Sequence, residues 1–202
     1  MTPARNRVSP RGDIIAVAGR GAWMGNRGRL HEGHGARDIV RNSRGKAWIT
    51  CVLEFRSRHS DQWAPNHYTQ LFFLDEAVAF AAGHRPCAEC RHGDYHAYRK
   101  RWHETHSGAM PYAKEMDNLL HRERTASDQM PWNTLPDGVF VDTAEGPAAI
   151  VGDHLAVFDE KAYAYRRQLP RPSSGSASVL TPPSTVAVLR AGYPVQIDVS
   201  AR

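Results

Sequence analysis

The sequence predicts an α+β fold from three features. Residues 47–55, AWITCVLEF, carry the β-branched and aromatic side chains that strands favour. Two segments, about 94–106 and 111–126, place apolar residues at helical spacing. After Trp132 the chain changes to short apolar runs separated by glycine turns, VFVDT, AAIVG and HLAVF. Such runs are typical of small antiparallel strands, so we expect antiparallel strands and helices first and a small β-rich C-terminal module second.

The remaining elements follow from local signals. The first dozen residues are predicted to form a flexible arm, and the apolar run 14–18 a short buried strand. Residues 68–73 are expected to pair antiparallel with the 47–55 strand. Asp75 is placed to cap a helix over 76–82 that Gly83 ends. Near the C-terminus, STVAVLRAG predicts a short helix stopped by Gly192, and VQIDV predicts a last strand.

The length of 202 residues allows one domain or two small ones. The change in composition near residues 128–134 predicts a boundary between a domain over 1–130 and a β-rich module over 131–202. No internal repeat is evident, and nothing in the composition indicates an oligomeric state.

Charge and composition limit the partners and the compartment. The net charge is +5 without counting eleven histidines, which favours an anionic partner, nucleic acid first. No apolar run approaches the roughly 20 residues that cross a bilayer, so no membrane partner is expected. The basic N-terminus lacks an apolar signal core. With only three cysteines, a disulfide framework is not expected, and the reducing cytoplasm is the predicted location.

The segment Leu71–Arg91 contains the strongest functional signal. Its turn Gly83-His84-Arg85-Pro86 leads into the pair Cys87 and Cys90, separated by two residues. A turn of this kind aims two thiolates at one metal ion, which predicts zinc. Thioredoxin-like redox sites share the C-x-x-C spacing, and inert buried cysteines are a second alternative. The upstream helix and the Ala88-Glu89 pair between the cysteines favour zinc over redox chemistry.

Residues 68–91 resemble the metal-binding domain of Ada-type DNA-alkylation-response proteins, in which an EA-x-x-x-GxRPC-x-x-C run follows an aromatic strand. The resemblance implies a zinc-knuckle domain and a nucleic-acid partner, DNA in preference to RNA. Ada-type domains supply a second cysteine pair upstream, whereas this chain has only Cys51. The expected zinc ligands are therefore Cys87, Cys90, Cys51 and His31, with His34 and His92 as alternatives.

In Ada-type domains a zinc-bound thiolate accepts a methyl group from a DNA phosphotriester. Replacing one of four thiolates by histidine makes the site less electron-rich, so the missing cysteine argues against this reaction here. The guanine-O6 methyl-transfer motif is also absent, since Arg85-Pro86-Cys87-Ala88 does not match it. The zinc is therefore predicted to be structural, in a nucleic-acid-interacting protein of DNA repair or defence.

Arginines of the glycine-rich N-terminal loops are the predicted contacts to the nucleic-acid backbone, because such loops can follow a phosphate chain closely. They are Arg20, Arg27, Arg29, Arg37, Arg41 and Arg44. The 94–106 helix also interleaves basic residues with Tyr95, Tyr98 and Trp102. The helical spacing of these aromatics favours a place in the core over stacking on bases.

The alternative function is a metal-dependent hydrolase, either a nuclease or a base-processing enzyme. Asp117 and His121 share one face of the 111–126 helix, and Glu123 flanks them. A carboxylate and a histidine so placed can bind a divalent metal, or His121 can act as a general base oriented by Asp117. A solvated polar helix face is the simpler interpretation of the same spacing. A third class is a small-molecule enzyme with its pocket between the two modules.

Overall fold

The computed structural model describes residues 3–32, 38–57, 61–124 and 128–202. Within them the fold is α+β, with two six-stranded sheets and four α-helices. The first sheet contains β1 (Arg5–Val8), β2 (Ile14–Ala16), β3 (Trp23–Asn26), β4 (Ile49–Cys51), β5 (Leu71–Phe73) and β6 (Arg85–Pro86). The second contains β7 (Asp128–Pro131), β8 (Phe140–Thr143), β9 (Gly146–Val151), β10 (His154–Asp159), β11 (Ala164–Pro170) and β12 (Ser176–Val179).

The four helices lie close to their predicted positions. They are α1 (Glu76–Ala81), α2 (His92–Thr105), α3 (Ala113–Glu123) and α4 (Pro183–Arg190), and one-turn 3-10 helices span Trp132–Thr134 and Val199–Ala201. Asp75 caps α1 as expected, accepting a hydrogen bond of 2.7 Å from the Val78 amide. Tyr95, Tyr98 and Trp102 of α2 are buried, which confirms that this aromatic stripe belongs to the core. None of the helices described has the length and apolar content needed to cross a bilayer.

The strand order of the first sheet is β2-β1-β5-β3-β4-β6. The expected pairing of residues 68–73 with the 47–55 strand is wrong, because β3 lies between them and pairs antiparallel with both β4 and β5. Nor is this sheet purely antiparallel, since β1 pairs parallel with β5 and β4 with β6. β3 comes from the glycine-rich segment that carries no strand signal. A β-carbon at Gly25 would lie 2.2 Å from the Ile49 carbonyl oxygen, so only glycine fits between the neighbouring strands.

The predicted flexible arm is also wrong from Arg5 onward. β1 pairs antiparallel with β2 and parallel with β5, which places it inside the sheet. Val8 is fully buried, and its carbonyl accepts a 3.0 Å hydrogen bond from the Tyr163 hydroxyl. The alternation of polar and apolar residues in β1 is too short to be recognised in the sequence. The strand is stabilised by partners that are distant along the chain.

The second sheet is antiparallel, in the order β11-β10-β9-β8-β12-β7, and both of its faces are covered. Alternate residues along β10 show this: Leu155 and Val157 join the core beneath α2, α3 and α4, whereas Ala156 and Phe158 join the core shared with α1 and the first sheet. Each core therefore contains residues from both sides of the predicted boundary near residue 131. The two halves are packed together through the second sheet.

The predicted closing strand over VQIDV is wrong, because residues 194–198 have no regular secondary structure. Their polar groups are bound to the N-terminal half instead. The Gln196 side-chain oxygen accepts a hydrogen bond of 2.7 Å from the Trp23 indole N–H. The Gln196 backbone amide donates a hydrogen bond of 3.1 Å to the Glu76 carboxylate. The Gln196 amide thus has a side-chain acceptor in place of a sheet partner.

Candidate metal centre

The three cysteines of the chain lie together in the folded protein. Cys51 ends β4, while Cys87 and Cys90 lie in the turn between β6 and α2. The parallel pairing of β4 with β6 sets Thr50 opposite Pro86, and the Cys87 amide donates 2.8 Å to the Thr50 carbonyl. As a result, the three sulfur atoms all lie within 4.8 Å of one another. The turn of the C-x-x-C pair and the end of a distant strand thus build one site.

Buried ion pairs on either side hold this turn in place. Before it, Arg85 makes two hydrogen bonds to the Asp117 carboxylate of α3, at 2.8 and 2.9 Å. After it, Arg91 donates a hydrogen bond of 2.5 Å to the Glu76 carboxylate of α1. Its guanidinium carbon lies 3.9 Å from the centre of the Trp23 ring. Arg85 and Arg91 are each only 4% exposed. The cysteines are therefore carried by a turn that two helices position.

Backbone and thiol donors converge on the Cys87 sulfur. The Glu89 amide lies 3.4 Å from it, and the Cys90 amide and the thiols of Cys51 and Cys90 also donate to it. The hydrogen bond from Cys51 is the largest of the effects that hold the pKa of the Cys87 thiol far below its usual value. The same contact raises the pKa of Cys51, which burial raises further. Of the three thiols, Cys87 is therefore the one whose ionisation this arrangement favours most.

The donor set fits zinc. Zinc–sulfur bonds of about 2.3 Å in a tetrahedral site place sulfur atoms about 3.8 Å apart, so three thiols within 4.8 Å need only a small contraction. Soft thiolates select zinc over calcium or magnesium, which prefer oxygen ligands. The three cysteines are free, with no disulfide among them. A third sulfur also distinguishes this site from a two-cysteine redox pair.

A groove of about 690 Å³ opens over the three sulfurs. Much of its lining is apolar and comes from the central strand β3 and its neighbours. Met24 of β3 pairs with both Cys51 and Phe72, which places the sulfurs beside an aromatic wall. The lining residues are Met24, Asn26, Ile49, Cys51, Val52, Leu53, Phe55, Ser57, His67, Tyr68, Gln70, Phe72, Cys87, Glu89 and Cys90. Sequence reasoning missed this groove, because only the strand order brings β3 between β4 and β5.

His31, the fourth predicted ligand, is not in this cluster. It is buried, and its ring nitrogens lie 2.7 Å from the Thr69 hydroxyl and 3.1 Å from the Ala64 carbonyl. Of the alternatives, His34 falls outside the described residues. His92 is exposed at the start of α2, where its Nε2 lies 3.1 Å from that of His96. The structure therefore brings together Cys51, Cys87 and Cys90, and neither His31 nor His92 joins them.

The residues of the hydrolase hypothesis contact different parts of the protein. Both Asp117 oxygens are bound to Arg85. The Glu123 carboxylate accepts hydrogen bonds from the Ser184 amide and hydroxyl at the start of α4. His121 is exposed. Among the described residues, the only cluster of potential metal ligands is that of the three cysteines.

The predicted arginine surface is divided by the fold. Arg20 and Arg44 are exposed, whereas Arg29 donates to Asn66 and Arg41 pairs with Glu32. Arg37 lies outside the described residues. Arg27 is buried, with its guanidinium 3.8 Å from the Trp48 ring centre and 3.2 Å from His84. Burial, and then the nearby Arg124, lower the pKa of Arg27 to about 9. Because its side chain is buried, this arginine is not available to a phosphate chain.

No protein-family model, curated protein or solved structure matches this chain. The resemblance of residues 68–91 to Ada-type domains therefore stays a prediction.

Proposed function

We propose that the protein binds one zinc ion through Cys51, Cys87 and Cys90 and interacts with nucleic acid. The observation that carries the zinc proposal is the convergence of all three cysteines within 4.8 Å. Free cysteines are often buried singly, so a chance grouping of every sulfhydryl in the chain is a poor explanation. Zinc held there ties β4 to the turn before α2, which is a structural role.

The nucleic-acid partner, DNA in preference to RNA, is supported by the net charge of +5 and by the resemblance to Ada-type domains. Of the predicted arginines that the structure describes, Arg20 and Arg44 are the exposed ones. In this proposal they contact phosphates and set the position of the protein on the backbone. A role in DNA repair or defence, in the cytoplasm, would agree with reduced thiols and an anionic partner.

The test combines metal analysis with DNA binding. Protein purified under reducing conditions should contain one zinc per chain, and Cys90→Ser should contain far less. Binding to a fluorescent DNA duplex should weaken steeply between 50 and 200 mM salt, roughly tenfold or more if several phosphates are neutralised. A metal-free, fully folded wild-type protein would refute the zinc proposal.

Two arginine variants sharpen the DNA test. Arg20→Gln with Arg44→Gln should weaken binding and reduce its salt dependence by about two charges, with the folded state unchanged. Arg27→Gln removes the same charge from a buried position and serves as the matched control. It should lower stability rather than change the salt dependence. Equal binding of the double variant and the wild type would contradict the assigned surface.

A further inference from the structure

We propose that the fourth coordination position of the bound zinc faces the groove and accepts a neutral aromatic nitrogen donor from outside the chain, of the imidazole or purine type. This inference rests on the proposed zinc site. It goes beyond a structural role, because it gives the metal a ligand-binding one.

The first step concerns the number of ligands. Tetrahedral zinc takes four, and open sites leave one position to an exogenous ligand. The described part of the chain supplies three sulfurs, and no histidine, aspartate or glutamate joins them within 4.8 Å. Of the side chains around the groove, Glu89 lies between the chelating cysteines, and His67 holds one ring nitrogen 2.9 Å from the Pro65 carbonyl. Within the described part of the chain no side chain completes the site, which leaves the fourth position open to a ligand in the groove.

The second step concerns charge. Zn²⁺ with three thiolates carries a net charge of about −1. A fourth anionic donor would bring it to about −2, and among the residues that the structure describes neither lysine nor arginine lines the groove to compensate this charge. A neutral donor avoids this cost.

The third step concerns shape. The groove of about 690 Å³ falls within the usual size of ligand pockets. Phe55, Tyr68 and Phe72 provide aromatic surface, and Asn26 and Gln70 provide amides beside it. Aromatic walls stack on flat heterocycles, and amides recognise the edges of such rings. An unstacked base combines a flat ring, a neutral ring nitrogen and a polar edge, so this site and a nucleic-acid partner are chemically consistent.

The experiment uses the full chain with Co²⁺ in place of zinc, because the visible absorption of Co²⁺ reports its ligands. The probes are 1-methylimidazole and 9-methyladenine, with acetate and 2-mercaptoethanol as anionic or thiol competitors. Both nitrogen donors should shift the Co²⁺ bands at concentrations at which acetate and the thiol have no effect. If the bands shift with 1-methylimidazole but not with 9-methyladenine, the proposal of a neutral nitrogen donor stands, and the donor is an imidazole rather than a purine.

Variants test the wall and the alternative ligand. Tyr68→Ala should weaken 9-methyladenine binding by about fivefold or more, as expected for the loss of one stacking contact. Tyr112→Ala, an exposed tyrosine outside the groove, is the matched control and should leave binding unchanged. Co²⁺ absorption bands that respond to none of the probes would overturn the inference. A Co²⁺ spectrum of His67→Ala that differs from that of the wild type before any probe is added would also overturn it, because His67 would then be the fourth ligand. Failure to bind Co²⁺ or Zn²⁺ at all would instead refute the proposed zinc site.

Discussion

Arg85 and Asp117 form a buried ion pair in which two parallel hydrogen bonds, of 2.8 and 2.9 Å, join the turn before Cys87 to α3. Arg85 lies two residues from the first cysteine of the C-x-x-C pair. Asp117, which the sequence marked as a candidate catalytic carboxylate, has both oxygens engaged in this contact. The contact explains why an acidic residue is buried on α3, and it positions the turn that carries Cys87 and Cys90.

Loss of this pair should destabilise the protein. Asp117→Asn leaves the buried Arg85 guanidinium without a counter-charge, so we expect the free energy of unfolding to fall by about 3 kcal/mol. Urea denaturation followed by tryptophan fluorescence measures it. Glu104→Gln breaks an exposed contact with Arg101 and is the control, with little change expected. If the two variants unfold at the same urea concentration, the buried pair contributes no more than a surface one.

His121→Ala separates the hydrolase hypothesis from the proposed function. His121 is exposed, and its removal should leave both the unfolding free energy and DNA binding near their wild-type values. We expect no nuclease activity in the wild type with Mg²⁺, Mn²⁺ or Zn²⁺. Cleavage of a labelled duplex by the wild type that His121→Ala abolishes would instead establish the hydrolase. His103→Ala, on the exposed part of α2, is the control for a general effect of removing a histidine.

Gly83 should tolerate no side chain. Its φ is +80°, and an added β-carbon would lie 2.5 Å from Cγ of Arg124. Gly83→Ala should therefore cost at least about 1–2 kcal/mol, from backbone strain and the displacement of Arg124. Gly93 in α2 has open space around it, so Gly93→Ala should be neutral or stabilise by about 0.5–1 kcal/mol. Thermal unfolding midpoints that moved equally for the two variants would contradict this assignment.

Asp75 should give the protein a pH-dependent stability. Burial raises the pKa of its carboxyl from 3.8 to about 6, against the opposing effect of its hydrogen bonds. The folded state therefore holds the proton more tightly than the unfolded state. This contribution is fully present below about pH 3.8 and is lost as the pH rises through about 6, for a total of about 3 kcal/mol.

The measurement is the difference in unfolding free energy between the wild type and Asp75→Asn from pH 4 to 8. The wild type should lose stability relative to the variant as the pH rises through about 6. Asp61→Asn, which changes an exposed carboxylate, is the control for the loss of one surface charge. A constant difference between the wild type and Asp75→Asn across this range would show that Asp75 keeps its ordinary pKa.

Zinc removal should lower stability. A ligand present at 100 times its dissociation constant stabilises the folded state by about 2.7 kcal/mol, so a chelator should lower the unfolding midpoint of the wild type measurably. Cys87→Ala should already have this lower stability and should not respond further to the chelator. A chelator effect of equal size in both proteins would mean that it acts somewhere other than the cysteine cluster.

Local signals in the sequence predicted much of the secondary structure. The helices α1 to α4 follow from apolar spacing, the Asp75 cap and stop signals such as Gly83, all of which act within a few residues. β3 was missed because its strand identity depends on two neighbours that come later in the chain. β1 was missed because four residues are too few to show an alternation of polar and apolar side chains. VQIDV was predicted to form a strand, but in the fold this segment makes side-chain contacts with the N-terminal half instead of pairing with a sheet.

The sequence by itself determined the α+β class, the helices, and the candidacy of Cys87 and Cys90 as a pair of metal ligands, because propensity, capping and a two-residue spacing are local properties. Only the tertiary structure decided that Cys51 joins these two cysteines while His31 does not, that Asp117 neutralises Arg85, and that Arg27 is buried. Each of these outcomes depends on which strands and helices become neighbours. That choice is made by the burial of apolar surface over the whole chain, which no local pattern contains.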